Sequence, residues 1–138
     1  MIAMERPTTI ARLSAGPVEY RLERHGDDSV LVLHGGHVRA GLALGEEVFT
    51  DLGYSALVRP VPIMAARRWP AVRRSKASRM SFANCGNLGI GRLAAVLGIS
   101  AGGRTAATMA VRHPKLVERL ILESAFSFLP WPALSGVS

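Results

Sequence analysis

A single cysteine, aromatic side chains at only 6% of positions, and a stretch from Leu52 to Val117 without one Asp or Glu limit what this chain of 138 residues can be. One cysteine excludes an internal disulfide or a cysteine-built metal cluster and leaves Cys85 as a small filler. No apolar run is long enough to cross a bilayer, and Met1-Ile-Ala-Met4 runs straight into Glu5-Arg6 without the apolar h-region of a secretory signal. A cytoplasmic location is the expectation. Disorder is excluded as well, since 49% of residues are hydrophobic and 20% charged. The length suits one domain with a real core.

The missing acids have a counterpart in excess base. The net charge is +7, and Arg59, Arg67, Arg68, Arg73, Arg74, Lys76 and Arg79 carry all of it, because the remaining basic residues balance the 10 acids. Such a tract suits nucleic acid or an anionic surface, so a non-catalytic basic protein acting through 59–79 is one reading of the chain. A basic patch needs a fold to present it, however, and residues 61–87 show neither helical nor strand periodicity. Nucleic acid is therefore not the expected partner.

Outside this tract, strands and helices alternate. Met1 to Gly16 reads as a lead-in, with Pro7 and Pro17 as breakers. Val18 to Glu23 alternates apolar and polar, the period of a strand with one face in solvent. Val30 to Leu33 is continuously apolar, as in a central parallel strand covered on both faces. Leu44, Val48 and Leu52 recur every four residues with Phe49 beside them, which predicts an amphipathic helix with Glu46, Glu47, Thr50 and Asp51 pointing away. Gly53 stops it, and Tyr54 to Val58 is the next strand of a right-handed βαβ unit. Leu93 to Leu97 reads as a buried strand, an alanine-rich helix runs from Gly103 until Pro114 ends it, and Leu120 to Leu122 is another central strand.

Between the strand at Leu93 and the alanine-rich helix lies Gly98-Ile99-Ser100-Ala101-Gly102, a G-x-S-x-G turn. A serine between two such glycines is what a nucleophile elbow needs, because the turn from strand to helix is too tight for side chains at the flanking positions. It lifts the hydroxyl off the sheet edge and aims the next backbone N–H at an oxyanion.

With Val30-Leu-Val-Leu-His34-Gly35-Gly36-His37 before it and Arg112-His113-Pro114 through Glu123 after it, this turn resembles the α/β-hydrolase superfamily. The resemblance covers Val18 to Leu129 apart from the basic tract. It implies an incomplete α/β-hydrolase fold: a mostly parallel sheet with flanking helices, its C-terminal strands missing, forming a single partial domain over 1–138. It further implies a serine hydrolase acting on an ester or similar small acyl substrate. Ser100 would be the nucleophile and the backbone N–H groups of Ala101 and Gly36 the oxyanion hole, with Gly98, Gly102, His34 and Gly35 shaping the turns. No metal or organic cofactor is implied. His34 and His37 would orient the oxyanion turn, and His113 reads as a helix-end residue.

The catalytic acid and histidine, which follow the serine in this superfamily, have no match. Glu123 reads as a strand end facing solvent, and no histidine follows His113. The chain is expected to be weak or inactive alone, with an apolar sheet edge beside Leu120 to Leu122 that favours self-association. Residues 61–87 are compatible with a shifted reading frame. From the third base of the Ile63 codon, permitted codons translate as YGRTPLASGPEVEGFADVVRELW, a turn and an acidic amphipathic helix of the kind the superfamily places there. A translated pseudogene product without function is a third reading.

Overall fold

In the computed structural model, which describes residues 7–13, 16–34, 47–60, 71–100 and 102–123, the run Ser29-Val-Leu-Val-Leu-His34 is a strand with every side chain buried. It is the third of six, here β1 (Thr9–Leu13), β2 (Gly16–Glu23), β3 (Ser29–His34), β4 (Ser55–Pro60), β5 (Leu93–Ile99) and β6 (Leu120–Glu123). They form one sheet in the order β1-β2-β4-β3-β5-β6. β1 pairs antiparallel with β2, and β2 antiparallel with β4. All pairings from β4 to β6 are parallel.

Each face of β3 carries one core. Val30 and Val32 meet Val58, Ala95 and Leu97 on one side, while Leu31 and Leu33 meet Leu57, Leu93, Val96 and Met109 on the other. This doubly buried position explains why the strand is apolar without alternation.

The helices α1 (Glu47–Asp51), α2 (Ala71–Asn87) and α3 (Gly102–Arg112) divide between the two faces. Phe49 of α1 packs on the valine face, whereas Cys85 of α2 and Ala106 and Met109 of α3 pack on the leucine face. Right-handed crossovers require this, because the chain steps from β3 outward to β4 and then returns past β3 to β5 and β6. The reversal opens a crevice at the carboxyl ends of β3 and β5, where open α/β sheets place their ligands.

Four expectations are corrected. The lead-in before Gly16 contains a strand, β1, whose pairing with β2 organises Thr9 to Leu13 despite the nearby prolines. On α1 the inward residue is Phe49, while Val48 and Leu52 are 53% and 70% exposed. A helix this short cannot turn every apolar residue of its repeat to the sheet; Leu44 and Glu46 lie outside the described residues.

The tract 61–87, read as irregular, is helical from Ala71 to Asn87. It is a proline-free run after Pro70 with three Ala and three Arg, so helix propensity wins without an apolar stripe. Residues 61–70 lie outside the description. Finally, among the described residues β6 pairs with β5 alone and all four of its residues are exposed, which suits the expected apolar edge beside Leu120 to Leu122 and not a central strand.

Candidate functional site

Ser100 stands at the carboxyl end of β5, at the point where the chain turns into α3. Its φ of 53° makes it the one non-glycine residue in the left-handed region among the described residues. That conformation costs an L-residue about 1–2 kcal/mol, so the surrounding structure must impose it. Two backbone hydrogen bonds do so: Ser100 N–H donates to the Glu123 carbonyl at 3.0 Å, and Gly103 N–H donates to the Ser100 carbonyl at 3.1 Å. The first ties the turn to the end of β6, whose register sets Glu123 beside Ile99.

The two flanking glycines are sterically required. A Cβ on Gly98 would lie 2.7 Å from both the Ala106 Cβ and the Gly103 Cα. A Cβ on Gly102 would lie 2.0 Å from the Leu33 carbonyl oxygen. The first turn of α3 is thus pressed onto the end of β3, the strand that leads into the segment holding Gly35 and Gly36. Ala106 is fully buried against this joint, which accounts for the small residues of the helix.

Ser100 itself is half-buried, and no described side chain hydrogen-bonds its hydroxyl. His34 closes β3 next to the turn; its side chain is fully buried, so it anchors the strand end and does not stand in the crevice. Gly35, Gly36, His37 and Ala101 lie outside the described residues. Glu123 is exposed and meets Ser100 through its carbonyl only. His113 follows the last turn of α3, about 16 Å along the helix from its start at 1.5 Å per residue. His25, in the turn before β3, lies at the amino end of the sheet. Among the described residues no histidine faces Ser100.

A second set of polar groups was not foreseen. Arg59, on β4, is 7% exposed; its guanidinium donates to the Ser81 hydroxyl, and its Nε has no partner. Asn84 is fully buried with neither amide atom hydrogen-bonded, and Cys85 lies beside it. Burial lowers the Arg59 pKa to about 10 against a small opposing pull from Cys85. It raises the Cys85 thiol to about 11, partly offset by Arg59. A thiol so placed is inert. The absence of acids from Leu52 to Val117 was the available signal, since it leaves a buried arginine no carboxylate nearby in sequence.

No protein-family model matches the sequence, and no curated protein matches it. Solved structures do. An α/β-hydrolase fold protein from Nakamurella multipartita is 27% identical with a TM-score of 0.71, over 88% of this chain and 42% of that one. A probable hydrolytic enzyme from Pseudomonas aeruginosa is 23% identical with a TM-score of 0.70, over 94% of this chain and 45% of its own. A protein described among novel epoxide hydrolases from hot-environment metagenomes is 21% identical with a TM-score of 0.67, over 88% of this chain and 43% of that one. The chain thus spans less than half the length of these three structures.

Proposed function

This chain has the N-terminal part of the α/β-hydrolase fold, and from that premise we propose that Ser100 is the nucleophile of an acyl-transfer site for esters or similar small acyl compounds. The observation that carries the proposal is the positive φ of Ser100 between two glycines that have no room for a Cβ. In the reaction the Ser100 oxygen adds to the acyl carbonyl and its proton passes to a base. The oxyanion takes hydrogen bonds from the Ala101 and Gly36 N–H groups, the alcohol leaves, and water releases the acyl group. Nothing among the described residues supplies the base, and removing the histidine of a serine protease costs roughly a millionfold in kcat. The isolated chain is therefore a weak or inactive hydrolase.

Slow covalent labelling by a fluorophosphonate at alkaline pH, where hydroxide stands in for the missing base, abolished in Ser100→Ala, tests the assignment; a folded protein that labels equally in Ser100→Ala, or never labels under those conditions, counts against it. The basic-protein reading loses support from Arg59, which is buried and has no surface to offer a polyanion, although Arg79 is exposed. No retention on DNA at low salt would end that reading. The edge strand β6, with Leu120, Ile121 and Leu122 exposed, suits self-association by strand pairing, which sedimentation at rising concentration measures. Among the described residues no helix is long and apolar enough to cross a membrane, and a cytoplasmic location remains our proposal.

A further inference from the structure

At the end of the sheet away from Ser100, a cavity of about 630 Å³ opens between α2 and the segment that follows α3. Phe82, Ile90 and Leu116 supply its apolar wall, and Arg112, His113 and Lys115 its polar groups. Phe82 is 46% exposed and stacks on His113, with ring centroids 4.1 Å apart and planes within 10°. The His113 Nε2 is buried from solvent without a hydrogen-bond partner among the described residues, so a guest in the cavity does not reach it. Burial, and then the neighbouring Arg112 charge, lower the His113 pKa, which favours the neutral ring.

The sign of the site follows from its charges. Among the described residues no carboxylate lines it. The carboxyl ends of α2 and α3 each contribute about half a negative charge. Arg112 and Lys115 contribute two full positive charges, so the rim stays cationic. A cation is repelled, and a neutral apolar guest leaves the two rim charges without partners. The flat stacked pair favours a planar guest over a flexible chain, because aromatic rings gain from offset stacking.

We propose that this cavity binds a planar aromatic carboxylate, its ring against Phe82 and Ile90 and its carboxylate between Arg112 and Lys115. The two cations face the carboxylate oxygens, and the His113 ring backs Phe82 through their stack. The cavity has an apolar wall with a few convergent polar groups, the composition expected of a small-molecule site. It is separate from the Ser100 turn, so the inference stands apart from the acyl-transfer reading.

Calorimetric titration of the full chain with 2-naphthoate, and with the neutral 2-acetylnaphthalene, tests it. Saturable binding of the carboxylate is expected, at least tenfold tighter than the ketone, weakened at least tenfold in the Arg112→Gln/Lys115→Gln double variant, and unchanged in Ser100→Ala. Phe82→Leu, which keeps an apolar side chain on α2, should weaken binding severalfold. No saturable binding at millimolar naphthoate, equal affinity for the ketone, or full affinity in the double variant would each overturn the proposal.

Discussion

The elbow and helix α2 pack against the same sheet face by opposite rules. At the elbow the described residues match their surroundings: glycine where no Cβ fits, alanine where α3 meets the sheet, and one strained serine held by hydrogen bonds from both sides. On α2 the matches fail, with Asn84 buried and unsatisfied, Ser81 buried, and Phe82 in solvent. Natural chains agree across local and tertiary levels, so the polar side chains of Ser81 and Asn84 mark positions the sheet face did not select, although Cys85 beside them fits the core. The shifted reading frame, which reads V-V-R-E-L-W over this stretch, remains our proposal for its origin. Sequencing the gene decides it, since an uninterrupted basic frame would end the idea.

Substitutions at the two regions should move stability in opposite directions. Gly102→Ala drives a Cβ into the Leu33 backbone oxygen, which cannot swing aside, and should cost about 3 kcal/mol or more in urea unfolding, at the upper end for overpacking. A loss under about 1 kcal/mol would mean that α3 can slide off β3. On α2, Asn84→Leu removes an amide with no partners and should stabilise by about 1–2 kcal/mol. Destabilisation there would remove the contrast. Returning to the elbow, Ser100→Gly should exceed Ser100→Ala in stability by about 0.5–1 kcal/mol, because glycine adopts positive φ freely. Equal stabilities would show that the turn relaxes.

The smallest expected effect is a pH dependence. The folded Cys85 thiol titrates near 11, above its ordinary 9. The unfolded chain therefore ionises first, and the stability this group contributes, complete below pH 9, is lost as the pH climbs toward 11. Arg59 acts oppositely from about 10 upward, since its folded form gives up its proton first. The difference between wild type and Cys85→Ala isolates the thiol: the wild type should lose more stability than the variant between pH 9 and 11. Identical profiles would show that water reaches Cys85.

Much of the fold was legible because its signals are local. The unbroken apolar run at Val30 marks a strand covered on both faces, and Gly98 and Gly102 mark a turn without space, which the distances to Ala106 and Leu33 account for. What was missed depended on distant partners. Thr9 to Leu13 has no strong pattern of its own and becomes a strand by pairing with β2. The exposure of Val48 and Leu52 depends on how far α1 extends over the sheet. The Phe82–His113 stack joins a residue of α2 to one that follows α3 and has no trace in spacing.

The sequence by itself determined the strand-turn-helix at Ser100, the fold class and the lack of a visible base, because glycine sterics and apolar periodicity act over a few residues. Only the tertiary structure decided that Arg59 and Asn84 are buried and that a cationic aromatic cavity forms at the far end of the sheet. Burial and electrostatic environment are properties of neighbours brought together by the crossovers, and the chain order does not reveal those neighbours.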